Sequence, residues 1–160
     1  MTNSIYSFTV KDITGKDFPL SQFQGKKLLV VNVASECGLT SQYEQLEELY
    51  SSTNRDEFEI VGFPANNFGG QEPGTDKEIM DFCTTNFGTS FHMMSKISVK
   101  GNDQHELYQF LTQEANNGVE DVKMLWNFQK ILVDEKGNFV KSVHPDTLPI
   151  DDEILSWVNG

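Results

Sequence analysis

Runs of hydrophobic residues along the chain predict seven β-strands. The two most apolar runs, residues 27–33 and 58–63, consist mainly of Val, Leu, Ile and Phe, as expected of central strands covered on both faces. Five shorter strands are predicted at residues 8–10, 16–18, 94–99, 128–133 and 139–143. Glycine-containing turns join the first two and the last two of these short strands, so each pair is predicted to form a hairpin.

Apolar residues at spacings of three and four predict four helices between and after these strands. The clearest helix covers residues 40–51, where the apolar positions are Tyr43, Leu46, Leu49 and Tyr50. The other helices cover residues 75–87, residues 104–114 and a final segment near the C-terminus. Residues suited to cap helix N-termini precede three of the four: Ser41 with Glu44, Thr75 with Glu78, and Asp151 or Asp152.

The order of these elements is typical of a thioredoxin-like fold. A hairpin comes first, followed by β-α-β, then by helices, then by β-β-α. A parallel half joined to an antiparallel half predicts an α/β domain with a central mixed β-sheet flanked by helices. No linker or repeat interrupts the pattern, so residues 1–160 are predicted to form one domain. In such open sheets, reactive groups lie beyond the carboxyl ends of the strands.

Charge and hydropathy narrow the classes of function. The net charge is −12, and Arg55 is the one arginine among twelve basic residues. Because nucleic-acid binding depends on Lys and Arg that neutralise phosphates, nucleic acid is excluded as a partner. No run reaches the roughly 20 apolar residues of a membrane-spanning helix, and the first residues lack the pattern of a signal peptide. We therefore expect a cytoplasmic protein without a transmembrane segment.

The two cysteines, Cys37 and Cys83, are the candidates for redox chemistry. They do not form a CxxC pair, and the three histidines are scattered along the chain. The spacings that zinc sites require are not present, so neither a metal site nor a bound cofactor is expected. A permanent structural disulfide is also not expected in a cytosolic protein.

Cys37 follows the first central strand and precedes Gly38 and the first predicted helix. Unpaired backbone N–H groups at a helix N-terminus stabilise a thiolate, whereas a free thiol, with a pKa of about 8.5, is mostly protonated at neutral pH. The neighbouring carboxylate of Glu36 opposes a second negative charge. A buried structural cysteine is the alternative. The local sequence does not decide between a reactive and a structural Cys37.

Three segments resemble the motifs of the glutathione peroxidase family. They are NVASECGLT at residues 32–40, GFPANNFGGQEPG at residues 62–74 and LWNFQKILV at residues 125–133, in the order found in the family. The resemblance covers nearly the whole chain and implies a thiol peroxidase that reduces hydrogen peroxide and organic or lipid hydroperoxides. It implies Cys37 as the peroxide-attacking residue and Gln71, Trp126 and Asn127 as its catalytic companions. These three side chains are neutral donors that can stabilise a thiolate without adding a base.

The same resemblance implies a role for Cys83. Thioredoxin-using members of the family place a resolving cysteine in the corresponding helix, so Cys83 is expected to form a disulfide with Cys37 that thioredoxin reduces. If Cys83 lies in the middle of the helix, local unwinding is expected to allow this bond. A buried core cysteine is the alternative for Cys83. Glutathione is the alternative reductant, with Lys130 as a candidate contact. No insertion resembling the subunit-contact loop of tetrameric members precedes Trp126, so a monomer is expected.

Three other functions stay open on sequence grounds. A peroxiredoxin-like thiol peroxidase would share the fold class, but the chain lacks the proline- and threonine-rich cysteine loop of those enzymes. A redox sensor that passes oxidation to a partner protein would use the same two cysteines, so the sequence does not separate it from a scavenging enzyme. A structural module with inert cysteines is the third.

Overall fold

The structure, a computed structural model, describes residues 4–160. Its strands are β1 (Thr9–Lys11), β2 (Asp17–Pro19), β3 (Lys27–Val33), β4 (Phe58–Pro64), β5 (His92–Met93), β6 (Lys130–Val133) and β7 (Phe139–Val143). Its helices are α1 (Gln42–Ser51), α2 (Asp76–Phe87), α3 (Glu106–Thr112), α4 (Glu114–Asn117) and α5 (Asp152–Asn159), with short 3₁₀ turns at Ile5–Ser7 and Leu20–Phe23. Within the described residues, no helix is long and apolar enough to cross a membrane.

Five strands form a central mixed sheet in the order β5-β4-β3-β6-β7, and β1 and β2 form the predicted N-terminal hairpin. β3 and β4 are parallel, with Val33 opposite Pro64 at their carboxyl ends. β6 is antiparallel to β3 and places Lys130, its first residue, opposite Val31. The segments that follow β3 and β4 and the segment that precedes β6 therefore meet at one edge of the sheet. Reactive groups are expected at this edge in open α/β sheets.

Apolar clusters cover both faces of the sheet. Side chains alternate along β3, so Leu28 packs into one cluster and the next residue, Leu29, into the other. The first cluster includes residues of α3 and of the N-terminal hairpin, and the second includes residues of α1, α2 and α5. Both cysteines pack against the second cluster, Cys83 fully buried and Cys37 partly exposed.

The capping predictions are confirmed for α2 and α5. Thr75 and Glu78 form a capping box at the start of α2, in which each side chain accepts the backbone N–H of the other residue. Asp151 caps α5 by accepting a backbone N–H of its first turn. The capping box predicted at Ser41 is wrong. Ser41 already has helical dihedral angles and its side chain makes no capping hydrogen bond, because turns lead into α1 before the helix begins.

Several predicted boundaries differ from the structure, and contacts or backbone conformations explain three of the differences. The strand predicted at residues 94–99 is absent, because Ser95 Oγ and the Lys96 N–H instead bond the carboxylate of Asp76 at the start of α2. The helix predicted at residues 104–114 is divided into α3 and α4 by Gln113, whose backbone is extended. β6 begins two residues later than predicted, because Phe128 adopts a left-handed backbone conformation.

A buried lysine ties the sheet to α1 and to the loop before α5. Lys130 is fully buried, and its Nζ donates to Gln42 Oε1 at 2.6 Å, to the Pro145 carbonyl at 2.8 Å and to the Thr147 carbonyl at 2.5 Å. Three acceptors match the three donors of an ammonium group. Burial lowers the pKa of Lys130 to about 7. The hydrogen bonds therefore offset much of the cost of burying this group.

Replacement of Lys130 by methionine is expected to lower the free energy of unfolding by about 3 kcal/mol, because three buried oxygen acceptors lose their donor. Lys141 on β7 provides the matched control, since its Nζ pairs with Glu153 at the surface, at 3.1 Å, and with no other residue in 4–160. Lys141→Met should change the free energy of unfolding by less than about 0.5 kcal/mol. Urea unfolding measures both variants, and equal losses would contradict the structural role of Lys130.

Candidate active site

Cys37 lies in a tight loop between β3 and α1. Its N–H donates to Thr40 Oγ1 at 2.9 Å, and the Thr40 hydroxyl donates to the Ala34 carbonyl at 2.9 Å. The Leu39 N–H donates to the Cys37 sulfur, with N and Sγ 3.3 Å apart. α1 begins only at Gln42, so turns separate Cys37 from the helix N-terminus that could stabilise its thiolate. A single loop amide therefore stabilises negative charge on the sulfur, in place of a helix N-terminus.

Gln71 and Asn127 form a hydrogen-bonded pair next to this loop. Asn127 Nδ2 donates to Gln71 Oε1 at 3.1 Å. The Gln71 carbonyl accepts the N–H of Glu36, the residue before Cys37, at 3.0 Å. Asn127 is fully buried and Gln71 is partly exposed. Among the described residues, Gln71 Nε2 has no hydrogen-bond acceptor, so its N–H groups are free to bind a ligand.

Trp126 is held by its backbone and by its ring. Asn32 on β3 donates through Nδ2 to the Trp126 carbonyl at 3.1 Å, and its own carbonyl accepts the Phe128 N–H at 2.6 Å. The indole ring tilts against Phe68, with 5.6 Å between ring centroids. Phe128 has a φ of 66°, which is costly for a residue with a bulky side chain. Its full burial and the Asn32 hydrogen bond offset this strain, so the turn that carries Trp126 and Asn127 is fixed.

A glycine allows the loop after β4 to approach Trp126. Gly69 has a φ of +65°, and a Cβ atom there would lie 3.3 Å from the Trp126 ring and 3.4 Å from Gln71 Nε2. Gly70 also has a positive φ, +63°, but a Cβ atom there would meet nothing within 4 Å. The backbone conformation thus favours glycine at both positions. Only Gly69 is also required by the close approach of neighbouring side chains.

The structure brings Gln71, Trp126 and Asn127 together through direct contacts or shared neighbours, and it joins them to Cys37 through Glu36. Cys83, the fifth residue predicted from the sequence, lies on α2, and both cysteines are free thiols. Gln71 links the Asn127 side chain to the loop that carries Cys37.

Cys83 lies in a buried environment that includes two titratable groups. The hydroxyl of Tyr43 from α1 lies beside its thiol, and the carboxyl group of Glu72 is close enough to affect its ionisation. Burial raises the pKa of Cys83 to about 11, the Tyr43 hydroxyl acts in the opposite direction, and the Glu72 charge adds a smaller increase. In this position Cys83 is a protonated thiol at neutral pH.

Two residues of the site were not identified from the sequence. Glu72 follows Gln71 in a loop whose composition predicts exposure, yet it is fully buried and its Oε1 accepts the Ser35 N–H at 3.1 Å. The sequence of the loop gives no indication that Glu72 is buried. Asn32 could have been recognised, because it is a single polar residue inside a continuous apolar strand. A buried polar residue in such a strand needs a partner, and Asn32 Nδ2 finds one in the Trp126 carbonyl before β6.

The expectation that Lys130 contacts glutathione is wrong. Its ammonium group is fully buried and bonds three protein oxygens, so no ligand can reach it. In residues 4–160, no group of three or more His, Cys, Asp or Glu side chains is arranged to hold a metal ion.

Cys37 lies in the loop after a central strand of a mixed sheet flanked by helices, and this architecture defines a protein of thioredoxin-like fold. A thioredoxin-family thiol:disulfide interchange protein from Chlorobium tepidum has this fold, with a TM-score of 0.65 and 18% identity over 100% of this chain and 98% of the other. The predicted fold class is therefore confirmed.

Closer similarities identify the family. The glutathione peroxidase family model matches residues 5–112. The glutathione peroxidase homolog BsaA of Bacillus subtilis is 45% identical over 154 residues, covering 95% of this chain and 96% of the relative. The glutathione peroxidase-like peroxiredoxin 2 of Saccharomyces cerevisiae is 44% identical over 163 residues, covering 99% of each chain. A crystal structure of the protein Trgpx in its apo form has a TM-score of 0.77 and 33% identity, covering 100% of this chain and 98% of that one.

The chain belongs to the glutathione peroxidase family. It is a thiol peroxidase, an oxidoreductase that takes a peroxide as substrate and a thiol as reductant. The resemblance of the three sequence motifs to this family is thereby confirmed.

Replacement of Gly69 by alanine is expected to slow peroxide reduction about tenfold, because the new methyl group pushes Trp126 and Gln71 out of position. The free energy of unfolding should fall by about 2 kcal/mol. Gly70→Ala is the matched control, with the same backbone strain but no neighbour to displace. It should lose about 1 kcal/mol and keep its rate within about threefold. Equal rates for the two variants, measured with hydrogen peroxide, would contradict the positioning role of Gly69.

Proposed function

We propose that the protein reduces hydroperoxides by a two-cysteine cycle in which Cys37 attacks the peroxide, Cys83 resolves the product and thioredoxin is the reductant. The Cys37 thiolate attacks one oxygen of the O–O bond, giving a sulfenic acid and releasing an alcohol, or water from hydrogen peroxide. The observation that carries this proposal is the partly exposed Cys37 sulfur, which accepts the Leu39 N–H in a loop bonded to Gln71.

Gln71, Trp126 and Asn127 are assigned to binding the peroxide and stabilising charge on its departing oxygen. Asn127 Nδ2 holds Gln71 Oε1, so the Gln71 amide presents its free N–H groups to the ligand. Neutral donors placed in advance stabilise developing negative charge without reorganisation. The substrates assigned are hydrogen peroxide and organic or lipid hydroperoxides.

Two observations support Cys83 as the resolving residue. Both cysteines pack against the same apolar cluster. α2 is also weakly anchored, because only Ile79 and Cys83 are buried among its twelve residues, whereas α1 buries five of its ten. Segments with few buried contacts open at a low free-energy cost. Unwinding of α2 would bring the two Cα atoms within the roughly 7 Å that a disulfide requires.

Three of the cations that could receive the carboxylates of glutathione are engaged in other contacts, and this favours thioredoxin as the reductant. Arg55 precedes β4 and so lies at the edge of the sheet opposite to Cys37, stacked on the Tyr50 ring at 4.5 Å. Lys96 Nζ donates to backbone carbonyls of the loop before α2, and Lys130 is buried. These three cations are therefore engaged elsewhere and do not receive the carboxylates of glutathione. An internal disulfide is a suitable substrate for exchange with a dithiol protein.

The protein is assigned to the cytoplasm as a monomer. A reducing compartment suits a cycle in which both cysteines rest as free thiols. Few large hydrophobic side chains are exposed among the described residues, and they are scattered along the chain, as expected of a surface without a large subunit interface. They are Met80, Val119, Leu125 and Leu148.

The cycle makes separate predictions for the two cysteines. Cys37→Ser is expected to abolish hydroperoxide reduction, because the attacking sulfur is lost. Cys83→Ser is expected to consume one equivalent of hydroperoxide at a rate near that of the wild type and then to stop with thioredoxin as reductant. Hydroperoxide consumption coupled to thioredoxin, and separately to glutathione, measures both variants.

If Cys83→Ser turned over repeatedly with thioredoxin at the wild-type rate, the two-cysteine cycle would be contradicted. Faster turnover of the wild type with glutathione than with thioredoxin would contradict the assigned reductant. A mixed disulfide between Cys37 and another protein, formed in preference to turnover with thioredoxin, would instead favour a redox sensor.

A further inference from the structure

Glu72 is a buried carboxyl group that the proposed cycle does not yet use. Its backbone N–H donates to Asn66 Oδ1 at 2.8 Å, and its carbonyl accepts from Lys96 Nζ at 3.1 Å. Its side-chain Oε1 accepts the Ser35 N–H at 3.1 Å. The residue is therefore held firmly between the loop of Cys37 and the start of α2.

The second carboxyl oxygen of Glu72 is unoccupied. Oε2 is buried and accepts no hydrogen bond from any described residue. A lone pair buried without a donor costs free energy, so such an atom calls for a functional explanation.

A cavity beside Glu72 connects the Cys37 loop with α2. Its volume is about 220 Å³, and its walls include Ser35 and Glu36 on one side and Ile79 and Phe82 of α2 on the other. Ile79 lies four residues before Cys83 and is buried with it, so the two share one face of the helix. Cys83 would enter this cavity as α2 unwinds, and Glu72 forms part of its wall.

We propose that Glu72 is a catalytic proton acceptor for the Cys83 thiol in the resolving step. The inference rests on the proposed two-cysteine cycle and adds a group to it. Glu72 Oε2 takes the proton from Cys83, and the resulting thiolate attacks the sulfur of the Cys37 sulfenic acid. The S–S bond forms as the S–O bond breaks, and the departing hydroxide takes the proton back from Glu72 and leaves as water. Thiol and sulfenic acid thus give disulfide and water, with no further oxidant.

The ionisation of both groups is consistent with this role. Burial raises the pKa of Cys83 to about 11, so its thiol needs a base near neutral pH. Burial also raises the pKa of Glu72, although the hydrogen bonds from Ser35 and the charge of Lys96 act in the opposite direction. A carboxylate with a raised pKa is a stronger base.

The other charged or titratable groups near Glu72 do not provide a competing base. They are Glu36 and Lys96, whose charges act on Glu72, the Tyr43 hydroxyl, and Glu78 on the cavity wall. Glu36 and Glu78 are exposed to solvent, Lys96 donates to backbone carbonyls, and burial keeps Tyr43 protonated by raising its pKa.

Glu72→Gln tests the proposal while preserving the local structure. The glutamine carbonyl oxygen can still accept the Ser35 N–H, and the amide group fits the space of Oε2. Rapid-quench mass spectrometry after one equivalent of hydrogen peroxide follows the sulfenic acid and the disulfide separately. Glu78→Gln is the matched control, because it removes the same charge from the same cavity and a glutamine retains the capping box.

Glu72→Gln is expected to form the sulfenic acid within about threefold of the wild-type rate and to form the disulfide about 100-fold more slowly at pH 7. In the wild type, the rate of the resolving step should rise with pH through the pKa of Glu72 and then level off. In Glu72→Gln it should rise about tenfold per pH unit towards the pKa of Cys83, because solvent must supply the base. Glu78→Gln should stay within about threefold of the wild type in both steps.

Disulfide formation at the wild-type rate in Glu72→Gln, or an unchanged pH profile, would overturn the proposal. An equal loss in both chemical steps would also overturn it, since this would show a structural effect on the Cys37 loop. Failure of the wild type to form the disulfide would instead refute the two-cysteine cycle itself, so the two failures are distinguishable.

Discussion

Asn32 supplies the constraint on which the site depends. This residue is fully buried at the end of β3, where its side chain bonds the Trp126 carbonyl and its own carbonyl accepts the Phe128 N–H. These bonds fix a turn that would otherwise be unfavourable, because Phe128 has a positive φ. With the turn fixed, Asn127 can hold Gln71, and Gln71 can bond the loop of Cys37. Replacement of the Asn32 side chain would leave the Trp126 carbonyl without its donor, whereas the backbone bond to the Phe128 N–H would remain.

The protein combines this rigid group with a helix that is poorly anchored. Side chains at the edge formed by β3, β4 and β6 are held in place before the reaction. They can therefore stabilise charge during peroxide cleavage with little reorganisation. In the proposed cycle, α2, which carries Cys83 and buries two of its residues, opens while the sheet stays in place. The Cys83 thiol, buried and protonated at rest, would then not compete with the attacking sulfur until the helix opens.

The strands and the long helices were predictable because their apolar patterns reflect burial directly. The strand predicted at residues 94–99 does not form, because Ser95 and Lys96 bond Asp76, which lies 19 and 20 residues earlier in the sequence. Cys37, Gln71, Trp126 and Asn127 were found through family motifs, and the structure brings them together. The burial of Glu72 was not predicted, because it results from the packing of segments that are separate in the sequence. For the same reason, the local sequence does not predict the side-chain environment of Cys83.

In the proposed cycle, the peroxide site stays fixed while α2 unwinds and brings Cys83 to it. Hydrogen exchange of the α2 amides tests this opening directly. Amide exchange is measured by mass spectrometry in the reduced protein and after one equivalent of hydrogen peroxide, with Cys83→Ser as reference. If α2 opens on oxidation, its amides lose protection while those of α1 and β3 keep theirs. Cys83→Ser should show no such loss. An oxidised wild-type protein in which α2 stays as protected as before would contradict this opening.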